Sequence, residues 1–114
     1  MSRDELIYLR DIVQSCAKIM NFTTGLTLQA LLRDERTYDA VVRNLEVIGE
    51  AAKHISNSTR TKMPLVDWRK IAGLRDVLAH DYFGIDNNIL WDIVQNKVPA
   101  LRDAIATFLE KNDE

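Results

Sequence analysis

Apolar residues recur alternately three and four positions apart along most of this sequence, and no stretch alternates with the period of two expected of a half-buried strand. A helix with that spacing presents one apolar stripe to a core. The two clearest stripes consist of Leu6, Leu9, Val13, Cys16 and Met20 and of Tyr38, Val41, Leu45, Ile48, Ala52 and Ile55. The sequence therefore predicts an all-α protein.

Residues that start and stop helices divide the chain into four main helices and one short extra helix. The first two main helices are predicted at residues 4–22 and 35–55, and the short helix at 26–32. Pro64 and the N-cap residue Asp67 open the third, Gly84 closes it, and the last begins near Asp86 with a kink at Pro99. Residues 56–61 are interpreted as a loop. Short connections predict an up-and-down four-helix bundle.

The length of 114 residues predicts a single domain over 1–114 that buries a core without disulfides or a structural metal. Hydrophobic residues make up 46% and charged residues 28%, which excludes a disordered or membrane-spanning chain. Charges interrupt every apolar run, and the first residues lack an apolar signal core. We therefore expect a cytoplasmic protein without membrane attachment.

Cysteine and histidine are scarce. Cys16 is the only cysteine, so no internal disulfide can form, and its apolar neighbours predict a packed thiol. His54 and His80 are the only histidines, and no Cys/His cluster has the spacing of a zinc site. We expect neither a metal nor another cofactor.

The net charge of -2 argues against a general nucleic-acid binder, but the charges are unevenly distributed. Residues 33–75 contain nine Lys/Arg and six Asp/Glu, whereas residues 76–114 contain three and eight. One face of the protein can therefore still be basic.

The segment 71–84 places Arg75, His80 and Tyr82 at the end of an otherwise apolar helix. At about 100° per residue, Arg75 and Tyr82 would lie near one face, and His80 about 140° from Arg75. One regular helix cannot direct all three residues together. Either the helix ends near Ala79 and His80 turns inward, or a second copy of the segment supplies the missing partner.

Arginine and histidine suffice to cleave RNA by internal transfer, because RNA supplies its own 2′-hydroxyl nucleophile. A histidine with a pKa near neutral pH takes the proton, and an arginine binds two phosphate oxygens at once. The structural alternative is that Arg75 pairs with a carboxylate of a neighbouring helix while His80 and Tyr82 cap their own. Glu46 and Glu50, four positions apart, are either such partners or a solvated face.

The order Arg75, four residues, His80, one residue, Tyr82 resembles the R-x4-H-x-Y signature of HepT proteins in the HEPN superfamily. Trp68, the run 81–85 and the segment 44–53 are similar to that group as well, and the resemblance covers nearly the whole chain. Asp76 departs from the polar residue, often Asn, that follows this arginine in many HEPN ribonucleases. It either positions Arg75 or His80 or faces solvent.

The resemblance implies a HEPN-type bundle that forms a homodimer or higher oligomer, with a composite, metal-independent endoribonuclease site containing Arg75 and His80. It also implies the toxin of a type VII HepT/MntA toxin–antitoxin pair, in which a nucleotidyltransferase antitoxin inactivates the toxin by transferring AMP to Tyr82. Two alternatives remain open at this point. One is a non-catalytic module that binds a nucleotidyltransferase, and the other is a structural helical dimer.

Other polar and aromatic residues have structural interpretations. His54 is predicted to complement the dipole of the second long helix. Trp68 and Trp91 are predicted to anchor the core or an interface. Arg69 and Lys70 are interpreted as exposed charges, with contact to RNA phosphates as the alternative.

Overall fold

The structure is a computed structural model that describes the backbone of residues 1–80 and 86–112, and the side chains of these residues other than 75–80. Within this part of the chain every regular element is helical. The helices are α1 (Arg3–Thr23), α2 (Leu28–Arg33), α3 (Glu35–Ala52), α4 (Asn57–Arg60), α5 (Trp68–His80), α6 (Asn87–Asp92) and α7 (Val98–Asn112), and a π-helical turn, Ile93–Lys97, joins the last two. The all-α prediction is confirmed.

Side-chain caps fix the starts of most helices, and one of these caps was predicted from the sequence. The carboxylate of Asp67 accepts the backbone N–H of Lys70 at 3.2 Å, which confirms Asp67 as the cap of α5. Other capping residues are Ser2, Thr27, Asp34, Ser56 and Asp86.

The structure departs from the predicted elements in three places. The prediction of a loop at 56–61 is wrong, because Ser56 caps the short helix α4 there. The second long helix, α3, ends at Ala52 rather than at residue 55. The last predicted helix is not continuous. The N–H of Val98 bonds to the carbonyl of Ile93, five residues earlier, which makes a π-helical turn just before Pro99.

The four long helices enclose one core. α3 packs against α1 on one side and α5 on the other, and α7 packs against α1. Fully buried side chains at the centre include Leu9, Ile12, Ile19, Leu45, Ile48 and Ile105. Cys16 is completely buried, and burial raises the pKa of its thiol to about 12, although the charge of Arg102 acts in the opposite direction. The predicted packed thiol is confirmed.

No described helix is both long enough and apolar enough to cross a bilayer.

Glu5 joins the first turn of α1 to the start of α4. Its side chain is only 6% exposed, and its Oε1 accepts the backbone N–H of Ser56 at 2.6 Å, across 51 positions of sequence. Burial raises the pKa of Glu5, but hydrogen bonds from Ser56 and Thr59 outweigh burial and lower it below its usual value. The ionised carboxylate therefore stabilises the contact between the two helices.

We expect Glu5→Gln to lower the free energy of unfolding by about 1–2 kcal/mol at pH 7, since the charged acceptor is lost. The folded-state pKa lies below the unfolded one, so this stabilisation is present above the unfolded value of about 4.3 and is lost as pH falls. Urea unfolding of both chains at pH 7 and pH 3.5 should show the difference shrinking at the lower pH. The exposed Glu110→Gln is the control, and an equal loss at both pH values would contradict the assignment.

Candidate active site

α5 carries three of the predicted site residues. Arg75 lies five positions before the helix end, Asp76 follows it, and His80 is the last residue of α5. Arg75 and His80 are therefore roughly 7.5 Å apart along the helix axis and about 140° apart around it. Tyr82 lies outside the described residues.

The half of α5 that precedes Arg75 packs against the core. Ile71, Ala72 and Leu74 are partly buried against it. Ile71 and Leu74 also line a small cavity of about 10 Å³ together with residues of α3, the π-helical turn and α7. The buried half of α5 fixes the direction of the helix as it approaches Arg75.

The π-helical turn lies beside α5 at this point. Its residues Ile93 and Lys97 line the same cavity as Leu74, the residue immediately before Arg75 in sequence. π-Helical turns occur frequently at functional sites. Lys97 was not among the predicted site residues, because its place beside α5 depends on the packing of helices far apart in sequence.

Glu46 and Glu50 have other partners in the structure. The carboxylate of Glu46 is 3.9 Å from the guanidinium of Arg43, and that of Glu50 is 3.8 Å from Nε2 of His54. Both carboxylates line a cleft of about 280 Å³ between α1 and α3. The side chain of Arg75 lies outside the described part of the structure, so the pairing of either carboxylate with Arg75 stays a prediction.

His54 lies two residues beyond the end of α3. Its ring stacks on Tyr8 of α1, with 4.3 Å between ring centroids and 9° between planes. Half of the side chain remains exposed. His54 therefore helps to hold α1 against the end of α3, a contact that the predicted dipole interaction did not include.

Trp68 and Trp91 contact the core, as predicted. Trp68, the first residue of α5, is 6% exposed, and Trp91 is partly buried against the core. Among the described residues, no group of three or more His, Cys, Asp or Glu side chains is placed to hold a metal ion.

Comparisons with known proteins identify the family. The family model described as "Ribonuclease HepT-like" matches residues 12–108. A Methanocaldococcus jannaschii protein named "Putative RNase" is 46% identical over 97 residues, which cover 85% of this chain and 80% of the relative. A Thermococcus cleftensis protein named "Probable ribonuclease HepT" is 40% identical over 102 residues, covering 90% and 93%. No solved structure matches this chain. Because the family model and these relatives span most of its length, the chain belongs to the HepT-like ribonuclease family.

Proposed function

We propose that this protein is a metal-independent endoribonuclease and the toxin of a type VII HepT/MntA-type toxin–antitoxin pair. The observation that carries the proposal is the position of Arg75 and His80 at the end of α5 in a chain of the HepT-like ribonuclease family. A cytoplasmic location, where RNA and ATP are both present, is part of the proposal.

In the proposed reaction His80 accepts the proton of an RNA 2′-hydroxyl. The 2′ oxygen then bonds to the adjacent phosphorus, the bond to the 5′ oxygen breaks, and that oxygen takes up a proton as it leaves. Arg75 binds two phosphate oxygens and stabilises the charge that develops on them. The products are a 2′,3′-cyclic phosphate and a 5′-hydroxyl end.

Asp76 is proposed as a positioning residue. It lies four positions before His80 on α5, and side chains at this spacing share one side of a helix. A carboxylate there would orient the imidazole and favour its protonated form after it accepts the proton.

The assay that tests the function is incubation of the purified chain with total RNA in EDTA, beside His80→Ala. We expect fragments with cyclic-phosphate ends from the wild-type chain and none from the variant. If neither chain cleaves RNA and the wild type still binds a nucleotidyltransferase, the non-catalytic binding module is the better account.

The proposed site is shared between two chains of a homodimer or larger oligomer. Its support is the angle of about 140° between the helix positions of Arg75 and His80, which a second copy of α5 would complement. We expect mixed Arg75→Ala and His80→Ala chains, each inactive alone, to regain part of the wild-type cleavage after joint refolding. Light scattering that finds only monomers at micromolar concentration would contradict a shared site.

A further inference from the structure

A second cleft opens at the other end of α5, where α4 and the following loop meet the first turn of the helix. It is a wide, open depression with a volume of about 710 Å³. The lining residues are Asn57, Arg60, Thr61, Pro64, Leu65, Val66, Asp67 and Trp68. None of them belongs to the proposed catalytic site.

Two buried N–H donors of the lining residues have no hydrogen-bond partner in the described part of the chain. They are Nε of Arg60 and Nε1 of Trp68, and Trp68 as a whole is only 6% exposed. A buried donor without an acceptor costs about 1–3 kcal/mol. Because both atoms are enclosed, an acceptor oxygen of a ligand would reach them only after a local shift of the lining side chains.

A backbone carbonyl and an aromatic ring hold the guanidinium of Arg60 in place. Its Nη2 donates to the carbonyl of Ala52, the last residue of α3, at 2.7 Å, and its carbon lies 5.8 Å from the ring centre of Trp68. Within the described residues Arg60 forms no ion pair. The cleft therefore contains a positioned positive charge that can bind an anion.

The charge around the cleft has the same sign. Residues 57–70, which include all the lining residues, contain four basic residues and one acidic residue, Asp67. The carboxylate of Asp67 caps α5 and lies 3.9 Å from the ammonium of Lys70, which offsets its charge. Lys62 and Arg69 are exposed nearby in sequence. An anionic ligand is favoured over a cationic or neutral one.

The cleft also has an apolar edge. Leu65 is 99% exposed, the most exposed of the large hydrophobic residues in the described chain. A guanidinium beside an exposed apolar side chain matches a nucleotide, which combines a phosphate with a flat base and a ribose.

We infer that this cleft is a second RNA-contacting site, which binds a phosphate and the adjoining nucleotide of single-stranded substrate away from Arg75 and His80. The inference rests on the proposed ribonuclease function. From Trp68 to His80 the helix extends about 18 Å. A bound strand must span at least this distance to reach both sites. The second site therefore favours RNA longer than that.

The test uses the full chain and a 12-nucleotide single-stranded RNA with 2′-O-methyl groups throughout, which cannot be cleaved by internal transfer. We expect the indole N–H resonance of Trp68, assigned with Trp91→Phe, to shift on addition of this RNA. Leu65→Glu and Lys62→Glu should each raise the Kd about tenfold and lower its dependence on salt. Lys18→Glu, an exposed charge reversal on α1, is the matched control.

Leu65 and Lys62 are chosen because both are exposed, whereas loss of Arg60 would also uncap α3. A second measurement compares cleavage of a 12-nucleotide RNA with cleavage of a trinucleotide. We expect Leu65→Glu to lower the ratio of their kcat/KM values about tenfold. Absence of cleavage by the wild-type chain would contradict the proposed function, while the uncleavable RNA would still decide whether the cleft binds RNA.

Two results would overturn the inference. One is an unchanged Trp68 resonance with equal RNA affinity in Leu65→Glu and Lys18→Glu. The other is a Trp68 shift caused by an oligoglutamate peptide and not by RNA, which would make the cleft a docking surface for an acidic protein segment.

Discussion

Arg75→Ala and His80→Ala are each expected to reduce RNA cleavage by about 10²–10⁴-fold while the helical content of the protein stays unchanged. In the proposed reaction, the first would remove the charge that stabilises the phosphate, and the second would remove the group that accepts the 2′-hydroxyl proton. Arg75→Lys should also lose most activity, since an ammonium does not reproduce two parallel hydrogen bonds to phosphate. Cleavage rates in EDTA measure the effect, and circular dichroism measures the fold.

The chain offers a matched control for each substitution. His54→Ala removes the other histidine, which stacks on Tyr8, and Lys18→Ala removes an exposed cation of α1. Both controls should cleave RNA within about twofold of wild type, because neither residue belongs to the proposed site. His54→Ala also loses the ring contact with Tyr8, so circular dichroism checks its fold as well. Induced expression should arrest growth with the controls and not with the site variants. Site variants that stay toxic at equal expression would rule out the assignment of Arg75 and His80.

AMP transfer to Tyr82 is expected to abolish ribonuclease activity. The phenolic oxygen would attack the α-phosphorus of ATP, lose its proton and release pyrophosphate. In sequence Tyr82 is two residues beyond His80, the end of α5. The added phosphate would bring bulk and negative charge next to a site that must bind an RNA phosphate, and would compete with it for Arg75.

Co-expression with the partner nucleotidyltransferase should therefore add one or more AMP masses to the peptide that contains Tyr82. Tyr82→Phe should remain toxic despite the partner, provided that the hydroxyl is not itself catalytic. Tyr8→Phe is the control, because the chain contains only three tyrosines and Tyr8 lies on α1. An unmodified Tyr82 peptide from a fully neutralised complex would reject modification and favour simple occlusion of the site by the partner.

Local features of the sequence predicted most of the fold. The three-and-four spacing, the Asp67 cap and the apolar neighbours of Cys16 all act within a few residues, so their outcomes followed from the sequence. The contact between Glu5 and Ser56 depends on 51 intervening residues, and α4 depends on that contact and on a cap within a polar stretch. Such features become visible only when distant helices are packed together.

In the candidate site, too, local motifs could be predicted from the sequence, whereas contacts between distant segments could not. Arg75, Asp76, His80 and Tyr82 form a short motif that the sequence itself displays, and their roles remain predictions. The cleft at the start of α5 was not predicted from the sequence, and Arg69 and Lys70, the two residues with RNA contact as an alternative, do not line it. Its distinctive pair, Arg60 and Trp68, meets because α4 folds back on the first turn of α5.

The π-helical turn at Ile93–Lys97 keeps apolar residues that are spaced four apart on one face of the last helical segment. Leu90, Val94 and Val98 follow one another at intervals of four, and each such step in an α-helix overshoots a full turn by about 40°. Two such steps would rotate the stripe by about 80° around the helix. All three residues are nevertheless only 2% exposed, so all three face the core. The wider turn absorbs this rotational drift, as one inserted residue would. A relative with an uninterrupted last helix should therefore align with a one-residue gap between positions 93 and 97.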